Sequence, residues 1–204
     1  MSQPVHRFTA GTDPAAPPLV LLHGTYGSEF DLMPLADELS PGAAKLGIRG
    51  TVEIGVGYAF FRRFPDRRVD EADLSARVPV LAEFIETFGA GNHFIRRPMV
   101  VGFSNGAIMA AALLMTRPDL FAGAILFRSL SPFTDDSTRS LDGMPVLIVD
   151  GAGDDRRSPG DGALLAERLR DAGASVQRRL LPTGHTITAD DVSIASEWLR
   201  ARGY

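Results

Sequence analysis

The chain has 204 residues, of which 45% are hydrophobic and 23% charged, and its 25 acidic and 21 basic side chains give a formal net charge of −4. A chain of this length can bury a core without cross-links, and one domain over residues 1–204 is predicted. Because the sequence contains no cysteine, disulfides, zinc–thiolate sites and cysteine nucleophiles are excluded.

Charge and hydropathy also limit the partners of the chain. Nucleic acid is not expected, since binding phosphates requires a basic surface and this chain is mildly acidic. The longest apolar run, residues 107–115, is far shorter than the roughly 20 residues of a membrane-spanning helix, so no span is predicted. The first residues contain neither an apolar segment nor a small-residue cleavage site, and a cytoplasmic protein is expected.

Apolar runs alternate with segments of helical periodicity along the chain. Strands are predicted at 18–22, 43–48, 98–103, 122–127, 145–150 and 175–181, and helices at 29–39, 70–88, 105–116, 162–172 and 190–202. Residues 50–68 combine glycine, aromatic and arginine residues without a clear period and are predicted to form a long loop or lid. The alternation predicts an α/β fold with a mostly parallel sheet and helices on both faces.

A candidate nucleophile lies where a predicted strand turns into a predicted helix. The sequence Gly102-Phe103-Ser104-Asn105-Gly106 fits the pattern G-x-S-x-G, and in this context it is typical of a nucleophile elbow, a tight turn that holds the serine oxygen above the sheet. The start of the helix would offer unpaired amides to an oxyanion. The structural alternative is a serine that merely caps the helix.

A serine nucleophile needs a base and an acid, which in this architecture follow it in the order Asp or Glu, then His. His185 is the only histidine after Ser104, and it lies between the last predicted strand and helix. The three earlier histidines are expected to be structural or on the surface. Asp154 is the favoured acid because it lies in the loop after a strand, with Asp155 second, whereas Asp150 is assigned to the strand end.

The first predicted strand is followed by the glycine-bearing turn His23-Gly24-Thr25-Tyr26-Gly27. The backbone amides of Thr25 and Asn105 are predicted to form an oxyanion hole. Such a turn could instead cradle a phosphate, although it lacks the lysine of a P-loop and the third glycine of a dinucleotide fingerprint.

The predicted loop 50–68 also contains candidate substrate-binding residues. Phe60 and Phe61 could line an apolar pocket, or they could pack beneath the loop as part of the core. Arg62 and Arg63 could attract an anionic substrate, or they could belong to a solvated charged face.

These motifs together resemble the α/β-hydrolase superfamily, in particular its single-domain phospholipase/carboxylesterase branch, which includes acyl-protein-thioesterase-like members. The resemblance rests on residues 21–24 before a glycine loop, on residues 102–106, on Gly151-x-x-Asp154 after a strand and on Gly184-His185 before a final helix. It covers almost the whole chain. It implies a carboxylesterase that acts on a small-molecule ester through an acyl-serine intermediate, with Ser104, Asp154 and His185 as a catalytic triad and without metal or cofactor.

Two departures from the family pattern affect the substrate and the acid loop. Tyr26 stands where relatives often have glycine, so it is a further candidate substrate-binding residue. After Asp154 the family usually has proline and apolar residues, whereas this chain has Asp155-Arg156-Arg157.

The resemblance also suggests a homodimer. Two other functions stay open: an acyl-thioesterase or lysophospholipase with the same triad, and a non-catalytic ligand-binding protein on a hydrolase scaffold.

Overall fold

The computed structural model of the protein describes residues 3–135 and 139–204. The strands are β1 His6–Thr9, β2 Leu19–Leu22, β3 Lys45–Ile48, β4 Val52–Ile54, β5 Gly57–Ala59, β6 Met99–Phe103, β7 Gly123–Phe127, β8 Pro145–Gly151 and β9 Ser175–Leu181. The α-helices are α1 Met33–Leu39, α2 Glu71–Phe88, α3 Asn105–Thr116, α4 Asp161–Asp171 and α5 Ala189–Arg200. A π-helical turn, Gly89–His93, extends α2, and a short 3-10 turn, Pro118–Leu120, follows α3.

Seven of these strands form one sheet in the order β1-β3-β2-β6-β7-β8-β9. β1 runs antiparallel to β3, and the other neighbouring strands of this sheet are parallel, which confirms the predicted mostly parallel sheet. The sequence does not predict the edge strand β1, because its residues alternate between half-buried and exposed positions and form no apolar run.

Helices cover both faces of the sheet, as predicted. Side chains alternate along each central strand, so that Val20 and Leu22 pack with α2, α3 and α4, whereas Leu19 and Leu21 pack with α1 and α5. α3 is buried over residues 105–115, which explains its apolar composition on all sides. Within residues 3–135 and 139–204, no helix combines the length and the apolar composition needed to cross a membrane.

The segment 50–68 is more ordered than the predicted irregular lid. β4 and β5 pair as an antiparallel hairpin, and Tyr58 bridges to Gly27 in the glycine turn after β2. Arg49 donates to both carboxylate oxygens of Glu29 at 2.6 Å and stacks 4.6 Å above the Tyr58 ring. The prediction of a long loop or lid is therefore wrong for residues 52–59, which form this hairpin. Its strands of three residues are too short to show a period.

The parallel arrangement decides where the candidate residues meet. β2, β6, β8 and β9 end at the same edge of the sheet, because parallel strands share their carboxyl side. The loops that follow them carry the glycine turn 23–27, Ser104, Asp154 and His185. Four separate stretches of the sequence thus converge on one site.

Candidate active site

Ser104 occupies a strained turn between β6 and α3. Its φ of 53° and ψ of −111° lie in a region that side-chain-bearing residues rarely adopt. Glycines make the turn possible: a Cβ atom on Gly106 would lie 2.0 Å from the carbonyl oxygen of Leu22, and one on Gly102 would lie 2.6 Å from Cα of Ala107. This backbone is that of a nucleophile elbow rather than of an ordinary helix cap.

The side chains of Ser104, His185 and Asp154 meet in a continuous hydrogen-bonded chain. The Ser104 Oγ lies 2.8 Å from Nε2 of His185, and Nδ1 of His185 lies 2.7 Å from Oδ2 of Asp154. Since a carboxylate oxygen accepts, Nδ1 carries the proton, and Nε2 is left to accept from the serine hydroxyl. The side chains of His185 and Asp154 are only 6% and 2% exposed, so this chain is largely shielded from water.

The charge state of His185 suits a general base. Burial lowers the pKa of His185 below its usual value, the hydrogen bond that His185 donates to Asp154 opposes that shift, and the positive charge of Arg157 adds to the lowering. The imidazole is therefore neutral at neutral pH, which is the form that can take a proton from serine.

Among the three aspartates considered as the acid, Asp154 is the one that the structure brings to His185. Its second oxygen, Oδ1, accepts from the backbone N–H of Arg156 at 2.8 Å, which fixes the carboxylate. Asp155 is exposed, and within the described ranges its carboxylate has no hydrogen-bond partner. Asp150 lies in β8, as expected, and pairs with Arg178 at 2.6 Å.

The glycine turn after β2 faces the nucleophile. A Cβ atom on Gly24 would lie 3.6 Å from Cβ of Ser104. The turn is held by His23, whose Nδ1 donates to the Gly24 carbonyl at 2.6 Å and whose Nε2 accepts from the Gly50 amide at 2.9 Å. Burial lowers the pKa of His23, which fits this neutral tautomer and the structural role expected for it.

The two predicted oxyanion donors lie in the elements that flank Ser104. Thr25 belongs to the glycine turn, and Asn105 is the first residue of α3, where helix amides have no partner within the helix. Neither amide donates a hydrogen bond to any group in residues 3–135 or 139–204. Both N–H groups are therefore available to a ligand.

The side chain of Asn105 has a separate role that sequence analysis missed. It is buried and accepts from the backbone amide of Phe60 at 2.7 Å while donating to the carbonyl of Phe61 at 3.2 Å. Phe60 and Phe61 are only 3% and 0% exposed and belong to the core cluster with α2 and α3. Of the two alternatives for these residues, the burial favours core packing beneath the hairpin, and a role in substrate binding stays a proposal. Tyr26, by contrast, is 62% exposed and stays a candidate.

Arg128, immediately after β7, is a further residue that sequence analysis missed. Its fully buried guanidinium donates to both oxygens of Asp191 at 2.7 and 2.8 Å. It also donates to the carbonyl oxygens of Gly184 and Thr186 at 3.0 and 2.6 Å, the two residues that flank His185. Arg128 thus holds the loop that presents His185. A single arginine after an apolar strand gives no sequence signal of this role.

Arg157 is the third missed residue, and it contacts the hydroxyl of the candidate nucleophile Ser104 directly. Its Nη2 donates to the Ser104 Oγ at 3.2 Å. Burial and the neighbouring charge of Arg63 lower the pKa of Arg157 to about 10, so it is still cationic at neutral pH. The sequence Arg156-Arg157 resembles a solvated charged face, and nothing in the local sequence distinguishes the half-buried Arg157 from the exposed Arg156.

The comparisons with known proteins agree with this fold. No family model matches the chain. The protein named "Putative hydrolase MhqD" in Bacillus subtilis (strain 168) is 36% identical over 196 residues, covering 96% of this chain and 97% of that protein. The crystal structure of a Bacillus cereus carboxylesterase has a TM-score of 0.92 at 35% identity and covers 96% of this chain and 93% of that one. A carboxylesterase from Mesorhizobium loti has a TM-score of 0.88 at 28% identity, with coverage of 96% and 93%.

Proposed function

The chain belongs to the phospholipase/carboxylesterase branch of the α/β-hydrolase superfamily and is an ester-cleaving hydrolase, and we propose that its reaction proceeds through an acyl-serine intermediate on Ser104. The observation that carries this proposal is the unbroken chain from the Ser104 hydroxyl through His185 to Asp154, with separations of 2.8 and 2.7 Å. The order and geometry of these groups match a serine-hydrolase triad.

The proposed first half of the reaction forms the acyl-enzyme. The Ser104 oxygen attacks the ester carbonyl while Nε2 of His185 takes the hydroxyl proton, and Asp154 stabilises the resulting imidazolium. The tetrahedral intermediate collapses when His185 returns that proton to the leaving alcohol. Water then attacks the acyl-serine with the same base, and His185 returns the proton to Ser104 as the acid product leaves.

The negative oxygen of both tetrahedral intermediates would be held by the amides of Thr25 and Asn105. A preorganised donor of this kind contributes on the order of 3 kcal/mol to transition-state stabilisation. The support for this assignment is that both N–H groups lack acceptors in the described parts of the chain and that Gly24 lies against Ser104.

The experiment that tests the proposal is steady-state hydrolysis of a p-nitrophenyl ester series. Ser104→Ala and His185→Ala are each expected to lower kcat by at least about 10³-fold, with unchanged circular dichroism. Ser193→Ala, which alters an exposed serine on α5, is the matched control and should retain wild-type rates. A folded Ser104→Ala variant with wild-type activity would refute the proposal.

The substrate decides between an esterase and the alternative acyl-thioesterase or lysophospholipase, because all three would use the same residues. A small-molecule ester is the proposed substrate. Higher kcat/KM for a short-chain oxygen ester than for the thioester of the same acyl group supports the carboxylesterase, and the reverse order supports the thioesterase. An inactive protein that still binds ester analogues would support the non-catalytic alternative.

A further inference from the structure

The guanidinium of Arg157 is fixed beside the nucleophile with part of its bonding capacity unused. Its Nε donates to the carbonyl of Arg128 at 2.7 Å, its Nη1 donates to the carbonyl of Arg156 at 3.0 Å, and its Nη2 donates to the Ser104 Oγ at 3.2 Å. An arginine has five N–H groups, so one on each terminal nitrogen has no acceptor among the described residues. The side chain is therefore preorganised and can still donate to a ligand.

The carboxylates near Arg157 accept hydrogen bonds from other groups. Asp154 accepts from His185 and from the backbone of Arg156. Asp150 accepts from Arg178 at 2.6 Å, and Asp161 accepts from the Ser158 amide at 2.8 Å. In residues 3–135 and 139–204, no carboxylate lies within 4.0 Å of the Arg157 guanidinium. Arg157 is thus a half-buried cation that forms no direct ion pair within the described ranges, with Asp154, Asp161 and Asp150 near enough to stabilise its charge.

A second arginine next to this site is also unpaired. The Nε of Arg63 is buried and has no hydrogen-bond partner in the described part of the chain, and no carboxylate there forms an ion pair with it. Its charge is close enough to lower the pKa of Arg157, and burial lowers the pKa of Arg63 as well. Because both side chains are half-buried and both still have unused N–H groups, an anionic ligand at this position would interact favourably with the two of them.

We propose that Arg157 and Arg63 bind an anionic group of the substrate, and that the ester cleaved at Ser104 is a half-ester carrying a free carboxylate. This inference rests on the proposed function and names its substrate class. The planar fork of Arg157 offers one N–H from each terminal nitrogen, which matches the two oxygens of a carboxylate. Since Nη2 also reaches the Ser104 oxygen, the carboxylate lies only a few bonds from the scissile carbonyl, as in a half-ester of a short dicarboxylic acid.

A matched pair of substrates tests this proposal. Monomethyl succinate carries the carboxylate, and methyl 4-oxopentanoate has a methyl ketone in its place at the same chain length. The wild type is expected to show a kcat/KM at least about tenfold higher for the half-ester, and Arg157→Met is expected to reduce that ratio by about tenfold or more. Arg63→Met should reduce the ratio in the same direction. Equal losses on both substrates would overturn the proposal, because Arg157 would then act on Ser104 alone.

Two further variants control for charge and folding. Arg156→Met removes the same charge from the exposed side chain of the preceding residue. It should leave the ratio of the two kcat/KM values unchanged. Arg157→Lys keeps the positive charge but loses the planar guanidinium. It should therefore keep only part of the preference for the half-ester. Stronger competitive inhibition by inorganic phosphate than by succinate would assign the site to phosphate-bearing esters and overturn the carboxylate assignment.

A binding measurement separates this inference from the proposed function. In the Ser104→Ala background, succinate should raise the melting temperature more than the uncharged succinamide does, and adding Arg157→Met should abolish the difference. If the wild type cleaves no ester but succinate still stabilises Ser104→Ala through Arg157, the proposed function fails and the anion site stands. If esters are cleaved without a preference for half-esters and succinate has no specific effect, the anion site fails and the esterase stands.

Discussion

Arg128 and Asp191 form a bidentate ion pair in which neither side chain is exposed to solvent. Asp191 also accepts from the backbone and hydroxyl of Thr188 at the start of α5. Through the carbonyls of Gly184 and Thr186, Arg128 fixes the loop that presents His185. One buried pair therefore joins the end of β7, the base and the last helix.

The first prediction concerns the stability contributed by this pair. Arg128→Met is expected to lower the free energy of unfolding by about 3–5 kcal/mol, because it leaves the Asp191 carboxylate buried without its partner. Urea unfolding measures the change. Arg68→Met, which breaks the exposed pair with Asp66, is the control and should cost less than about 1 kcal/mol. An Arg128→Met variant as stable as that control would contradict the structural role of the pair.

The second prediction assigns the acid. Asp154→Asn is expected to lower kcat by up to about 10⁴-fold, because it removes the carboxylate that orients His185 and stabilises its protonated form. Asp155→Asn makes the same carboxylate-to-amide change at the exposed neighbouring residue. It should retain near-wild-type activity. Ester hydrolysis by the two variants, with folding checked by circular dichroism, distinguishes them. A larger loss in Asp155→Asn would reverse the assignment.

The third prediction is the pH dependence of kcat/KM on a neutral ester. The neutral imidazole of His185 is the active form, so activity should be full at higher pH and fall as pH drops through the pKa of His185, which burial and Arg157 place below the usual 6.5. Arg157→Met removes a nearby positive charge and should move this inflection to higher pH. Arg200→Met, an exposed change on α5, should not move it. A wild-type inflection above 6.5, or a downward shift in Arg157→Met, would be inconsistent with this electrostatic account.

The fourth prediction tests the packing that holds the elbow. A Cβ atom at Gly106 would lie 2.0 Å from the Leu22 carbonyl oxygen and 2.4 Å from that of His23, so Gly106→Ala must push the end of β2 away from α3. We expect it to lower the free energy of unfolding by at least about 2 kcal/mol. At Gly153 the nearest atom, the Thr183 oxygen, would be 3.5 Å away, so Gly153→Ala should cost less than about 1 kcal/mol. Urea unfolding measures both changes. Equal losses in the free energy of unfolding for the two variants would contradict tight packing at the elbow.

Much of the fold follows from local sequence patterns. The bounds of α3 and β9 agree with the predictions 105–116 and 175–181, because an apolar helix and a strand between turn residues have clear limits. The predicted helix 29–39 begins only at Met33, since Ser28 and Asp31 hydrogen-bond to each other in a preceding turn and Pro34 suits a first helical turn. The short hairpin β4–β5 and the edge strand β1 give no comparable signal.

The candidate site could be predicted only where residue type and chain order carry information. Ser104, Asp154 and His185 follow the order and the loop positions that a triad requires. Arg128 and Arg157 could not be found in this way, because their contacts with Asp191 and Ser104 join residues 63 and 53 positions apart. The cytoplasmic location and the homodimer stay predictions from the sequence.

Covalent labelling of Ser104 is the most direct test of the central claim that this residue is an activated nucleophile. The wild type is treated with a fluorophosphonate, and the labelled site is located by peptide mass spectrometry. We expect one phosphonyl group on Ser104, none on the Ser104→Ala variant, and slower labelling of His185→Ala because the base is missing. A folded wild type that stays unlabelled, or a Ser104→Ala variant that is labelled to the same extent, would contradict that claim.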